Sequence, residues 1–74
     1  LNRAELKAAR IRRGITSKDM AKKLGLTAQQ YCYKENGSRR IFLGDAQNIA
    51  KILQLTPAEI LLIFFDININ SNNK

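Results

Sequence analysis

Ser17-Lys18-Asp19-Met20-Ala21-Lys22-Lys23-Leu24-Gly25-Leu26-Thr27-Ala28-Gln29-Gln30-Tyr31-Cys32-Tyr33-Lys34-Glu35-Asn36 is the stretch on which the reading of this chain turns. Met20, Ala21 and Leu24 recur at helical spacing, so one face of the first segment is buried. Gly25 ends that segment, because glycine accepts the left-handed backbone of a helix C-terminus without a Cβ clash. Two residues on, Thr27 is placed to cap a new helix, with Gln30 at the third position to complete a capping box. Ala21 is small where two helices crossing steeply need close backbone approach, and Tyr31 supplies a large apolar body from the second helix.

A small residue, a glycine four on and a bulky residue six after that is the spacing of a helix-turn-helix. Charge points the same way. The 74 residues carry 13 Lys and Arg against 6 Asp and Glu, a net charge of +7. Residues 1–40 hold eleven basic and three acidic side chains, a balance of +8, whereas residues 41–74 have a balance of −1. The basic half contains the two-helix stretch, which points to a polyanionic partner.

Outward from that stretch the chain reads as helices throughout. Asn2 with Glu5 marks a helix start, and Leu6, Ala9, Arg10 and Arg13 share a face, with Ile11 to one side, so helix 1 spans about 3–13 and Gly14 ends it. Thr16 or Ser17 caps helix 2, and Asp19 sits in its positive first turn. Helix 2 runs to Leu24 and helix 3 from about Ala28 to Glu35. Asn36-Gly37-Ser38-Arg39-Arg40 is a loop by composition. Ala46, Ile49, Ala50 and Leu53 recur at i, i+3, i+4 and i+7, placing helix 4 at about 44–53. Thr56-Pro57-Ala58-Glu59 combines a cap, a proline at the first position and a glutamate at the third, and starts helix 5, which runs to about Phe64. The expected organisation is an all-α, five-helix domain over residues 1–65 and an Asn-rich tail over 66–74. Asp66 to Asn70 alternates polar and apolar, a pattern for a short strand pairing with a partner chain, with fraying beyond Ser71.

Composition excludes several classes. A chain of this length supports one small core. The lone Cys32 makes no internal disulfide, the charged N-terminus is not a secretory signal, and the apolar run Ile60–Phe65 is too short to span a bilayer. A soluble intracellular protein is therefore expected. With no His, one Cys, no paired carboxylates and no Gly-rich phosphate loop, catalysis is not expected, nor is a metal, cofactor or small-molecule ligand.

Five short helices with the helix-turn-helix second and third resemble the Cro/cI (Xre-type) family, the lambda-repressor-like regulators. The carrying residues are Leu6…Arg10…Gly14-Ile15-Thr16, Met20-Ala21-Lys22-Lys23-Leu24-Gly25-Leu26-Thr27, Glu35-Asn36-Gly37, Ile49-Ala50-Lys51-Ile52-Leu53 and Glu59-Ile60. Lys34 to Arg40 and the closing Ile63-Phe64-Phe65 also look like short regulators from phages and mobile elements of Gram-positive bacteria. The resemblance implies a homodimer that binds a near-palindromic double-stranded operator and controls transcription. With room for the DNA-binding unit alone, the chain resembles a Cro-type repressor more than a lysogeny repressor with its added domain. The family's helix-1 arginine and helix-3 glutamate form a partly buried ion pair, here Arg10 and Glu35. Two departures stand out. Ser17 occupies a position where the family often has Gln, and Lys34 one where it has a buried apolar residue, which leaves open whether Tyr33 or Lys34 faces the core.

In a helix-turn-helix the start of the second helix enters the major groove. The expected base-reading set is Ala28, Gln29, Gln30, Cys32 and Tyr33. Gln29 leads it, because its amide pairs bidentately with adenine N6 and N7. Gln30 either joins it or serves the capping box. Ser17 and Lys18 at the start of helix 2, with Asn36, Ser38, Arg39 and Arg40, are the expected phosphate contacts. Ile60-Leu61-Leu62-Ile63-Phe64-Phe65 is apolar all round a helix, so a face is left over once the core is satisfied. A dimer interface through Ile60, Leu61, Ile63, Phe64 and Phe65 is the expected use of that face. The alternative is a protein-interaction module of the antitoxin or antirepressor kind, in which this helix binds another regulator.

Overall fold

Helix starts in this protein are written locally. In the computed structural model, which describes residues 1–68, the side chains of Asn2, Thr16, Thr27 and Thr56 each accept the backbone N–H three residues on, at Glu5, Asp19, Gln30 and Glu59. Each bond satisfies one of the four N–H groups a helix start leaves without a partner. The fourth start works in reverse: Phe42 has no acceptor to offer, and the Asp45 carboxylate reaches back to the Phe42 N–H at 3.0 Å. The helices are α1 (Arg3–Arg12), α2 (Ser17–Leu24), α3 (Ala28–Asn36), α4 (Leu43–Leu53) and α5 (Pro57–Phe65). Among the described residues there is no strand, and the fold is all-α.

The sequence boundaries hold to within one residue, and the shifts at Arg13 and Leu43 have local causes. Arg13 leaves α1 to cap it. Leu43 joins α4 because Asp45 secures the turn from Phe42. Thr16, not Ser17, caps α2. Between α2 and α3 the Leu26 N–H returns to Ala21 O at 2.8 Å and Gly25 takes φ 73. That is the six-residue closure which turns a helix out of its path and needs a left-handed residue at its centre. Asp66 ends α5 in the same left-handed region, at φ 55. Residues 66–68 lie in no regular element, and the strand expected over 66–70, which needs a partner chain, falls in part outside the described residues. The tail from residue 69 onward, with the fraying expected beyond Ser71, lies outside the described residues.

α1 packs on α3 and α5, and α2 on α3 and α4. The buried side chains are Leu6 and Ala9 from α1, Met20 and Ala21 from α2, Tyr31 from α3, Ile49 and Leu53 from α4, Leu55, and Ile63 from α5. Ile63 is fully buried within its own chain. It therefore cannot line a dimer interface, and the sequence assignment of Ile63 to one is corrected. A helix apolar on every side gives no sign of which side faces inward.

Ion pairs fix α5 to α1. The Glu59 carboxylate closes its own helix start by accepting the Thr56 N–H, and also takes Arg13 at 2.7 Å and Arg12 at 3.2 Å. The Thr56 backbone bond first, and then Arg13 and Arg12, lower the Glu59 pKa from 4.5 to about 2. No helix among the described residues is long and apolar enough to cross a membrane.

Candidate nucleic-acid interface

α3 has two faces. On the inner one the Tyr31 ring is fully buried, and its hydroxyl donates to Glu35 Oε2 at 2.7 Å. Arg10 meets the same carboxylate with two parallel bonds, Nε to Oε2 at 2.9 Å and Nη2 to Oε1 at 3.1 Å, while its Nη1 donates to Ile15 O at 2.7 Å. The guanidinium fork matches a carboxylate edge to edge, which makes such pairs strong and directional. Burial works against the charge on Glu35, but the bonds from Arg10 and Tyr31 outweigh it and hold its carboxyl below the usual range. The Glu35 hydrogen bond raises the Arg10 pKa. Burial, then the bond to Glu35, raises that of the Tyr31 phenol. Glu35 thus ties α3 to α1, and Arg10 carries the link on to Ile15 in the turn that leads into α2.

On the outer face Ala28, Gln29, Cys32 and Asn36 are exposed and Tyr33 is half-buried. The neighbouring glutamines have separate roles. Gln30 Oε1 accepts the Thr27 N–H at 2.9 Å, completing the capping box, so its carbonyl is occupied. Gln29 is held by a side chain instead: its Nε2 donates to Tyr33 Oη at 2.7 Å. Bidentate recognition of adenine needs a donor and an acceptor on one amide, and Gln29 keeps both.

The loop beyond α3 is built against this face. Gly37 ends the helix at φ 99, and a Cβ there would stand 3.1 Å from Arg3 Nε. Arg3 needs that space because its guanidinium donates to the Lys34 carbonyl, placing a cation at the negative end of α3. Asn36 Oδ1 accepts the Ser38 N–H at 2.8 Å, which turns the loop and leaves the amide donors outward. Arg39 lies over the Tyr33 ring, 6.0 Å from its centre. Lys34 and Arg40 lie over Phe42, at 5.4 Å and 5.9 Å. Gln29, Tyr33, Arg39 and Arg40 line one cleft alongside α3. Ser17 and Lys18 stand in the first turn of α2, Lys18 exposed, and do not line that cleft.

Lys34 answers the question left by the sequence: neither it nor Tyr33 replaces Tyr31 in the core. Its stem is half-buried and its ammonium emerges to Asp45 at 3.0 Å and Arg40 O at 3.2 Å, as a long side chain does when its stem is apolar and its end charged. Among the described residues Lys18, Lys22, Lys23, Arg39 and Arg40 form no salt bridge, whereas Arg10, Arg12, Arg13 and Lys34 do. The positive field of residues 1–40 thus resolves into cations spent on the scaffold and cations left for a partner.

Sequence reasoning missed Arg3, the Lys34–Asp45 link and the second use of Glu59. Each joins residues far apart in the chain, and only Asp45, three residues after a helix start, leaves a local signal. The apolar run Ile41-Phe42-Leu43 reads as carrying the chain back to the core, but only Ile41 packs there: Phe42 and Leu43 are 60% and 73% exposed and, with Ile60, Phe64 and Phe65, line an apolar groove. Leu61 is half-buried and lies outside the groove. No group of three or more His, Cys, Asp or Glu among the described residues is placed to hold a metal ion.

The sequence model of the helix-turn-helix family, in its Cro/cI form, matches residues 6–60, from the buried Leu6 of α1 to Ile60 in α5. Comparison with curated proteins and with solved structures found no match.

Proposed function

This chain belongs to the Cro/cI-type helix-turn-helix family of DNA-binding transcriptional regulators, and from that premise we propose that it is a Cro-like repressor that binds a near-palindromic operator as a homodimer in the bacterial or phage-infected cytoplasm. The observation that carries the reading is the outer face of α3, where an exposed Gln29 keeps a free donor and acceptor beside Arg39 and Arg40. In this reading α3 enters the major groove. Gln29 reads adenine, with Ala28, Cys32 and Tyr33 at neighbouring base edges. The Gln30 amide donors are left for a single contact, since its carbonyl serves the cap. Lys18 and the Ser17 and Lys18 backbone N–H groups hold one phosphate, and Asn36, Ser38, Arg39 and Arg40 hold the next.

The apolar groove supports the dimer. Phe42, Leu43 and Phe65 are each more than half exposed beside Ile60 and Phe64, and such a patch on a small protein usually marks an interface. A two-fold axis through it sets the two α3 helices about one DNA turn, ~34 Å, apart.

Selection from random DNA followed by sequencing tests the reading. A palindrome with half-sites about one turn apart is expected, and six to eight phosphate contacts per dimer give a log-log salt slope of about −5 to −7. Enrichment of nothing above background, with binding to every sequence, overturns sequence-specific repression. Salt-insensitive capture of a second protein through the groove marks an interaction module instead. Sedimentation that shows a monomer at high concentration, with and without DNA, removes the dimer.

A further inference from the structure

Gln29 and Tyr33 are one helical turn apart on the exposed face of α3 and are bonded to each other, and Arg39 rests on the same tyrosine ring. We propose that Tyr33 is a positioning residue for sequence reading: its hydroxyl sets the Gln29 amide to accept adenine and refuse guanine, and its ring seats Arg39 for the phosphate backbone. The inference rests on the reading of Gln29 as the base-reading residue.

The chemistry follows from counting donors. A glutamine amide has two N–H donors and one carbonyl acceptor. Tyr33 Oη takes one donor at 2.7 Å. What remains is one donor and one acceptor, which match adenine N7 and the adenine N6 amino group. Guanine presents two acceptors there, N7 and O6. An unrestrained amide can turn its two N–H groups towards guanine. One whose second N–H is held by Tyr33 brings its carbonyl against O6, acceptor facing acceptor. The selectivity therefore comes from a residue that need not touch the base. In water a surface bond at four-residue spacing is weak; in the groove, where water is excluded, it strengthens. The ring performs the second task. A guanidinium about 6 Å from the centre of an aromatic ring is drawn towards its face by the ring quadrupole and keeps its N–H donors for a phosphate. Base reading and backbone contact then share one support.

The test measures binding to the selected operator, and to the same operator with the Gln29-dependent A·T pair changed to G·C, across a range of salt. Gln29→Ala identifies that base pair by abolishing its preference. Tyr33→Phe keeps the ring and removes the hydroxyl; it is expected to reduce the adenine-over-guanine preference at that pair about 2- to 10-fold, the range of one hydrogen bond, with the salt slope unchanged. Tyr33→Leu removes both supports and is expected in addition to flatten the slope by about 1 per lost phosphate contact. In the Gln29→Ala background Tyr33→Phe is expected to change nothing further at that pair. An undiminished preference in Tyr33→Phe overturns the inference. So does a loss at that pair that persists in the double variant, since Tyr33 then reads that pair itself. An unaltered slope in Tyr33→Leu overturns the Arg39 half. If Gln29→Ala changes no base preference at any position, the reading of Gln29 fails, and the inference with it. Should Tyr33→Leu fail to fold, Tyr33→Phe alone still decides the hydroxyl.

Discussion

Two networks on α3 use the same parts. On the inner face a tyrosine hydroxyl meets a polar side chain four residues away and an arginine arrives from another element: Tyr31, Glu35 and Arg10. On the outer face the pattern recurs with Gln29, Tyr33 and Arg39. The difference is solvent. The Arg10 and Glu35 side chains are 8% and 12% exposed, so every donor and acceptor must be answered within the protein. Gln29 and Arg39 are exposed, and water can take any bond the protein leaves. Similar side chains therefore act as a structural lock on one side, where Arg10 is bonded to the carboxylate, and as an adjustable arm on the other, where Arg39 only lies near the ring.

The largest expected effect breaks the inner network. Glu35→Gln leaves Arg10 buried without its counter-charge and is expected to cost ~3–5 kcal/mol, the usual loss when one partner of a buried pair is removed. Denaturant unfolding measures it, and an unchanged midpoint would show that the lock carries no stability. DNA preference, measured below the transition, is expected to stay the same.

A smaller effect sharpens the contrast by making one substitution on each face. Tyr31→Phe removes a hydrogen bond to a carboxylate and is expected to cost about 1.5–3 kcal/mol. Tyr33→Phe removes one at the surface and is expected to stay within about 0.5 kcal/mol of the parent. Equal losses in the two variants would mean that burial is not what separates the faces.

The last effect is set by pH and concerns the scaffold alone. Glu59 is held down to about 2 in the folded protein, from 4.5. Its contribution is thus fully present above pH 4.5, declines as pH falls towards about 2, and is gone below that. Glu35, also lowered, adds to the same acid loss. Melting temperature is expected to fall across this window in the parent and less steeply in Glu59→Gln. Parallel curves would remove Glu59 from the acid response.

Much of the fold was legible in the sequence because the signals that set it are local. Thr27 with Gln30 and Thr56 with Glu59 are bonds between residues three apart, and Gly25 ends α2 from a backbone requirement of its own. The outer face of α3 was legible too, since helical spacing and a buried Tyr31 leave only the opposite side. The cap role of Gln30 was legible from its place three residues after Thr27. The bond of Gln29 to Tyr33 was not, since both side chains are exposed enough to be answered by water and only their placement on the folded helix joins them.

The sequence by itself determined five helices, their ends, the helix-turn-helix and the basic bias of residues 1–40, because capping, periodicity and charge are properties of neighbours along the chain. Tertiary structure alone decided that Ile63 faces inward, that Arg12 and Arg13 pair with Glu5 and Glu59 while Arg39 and Arg40 are left over, and that Phe42 and Leu43 meet Phe64 and Phe65 in one groove. The physical reason is rotation. α5 is apolar all round and presents no stripe to fix its turn about its own axis, so the elements it packs against choose the face, and the side chains left outside are settled only when that packing is complete.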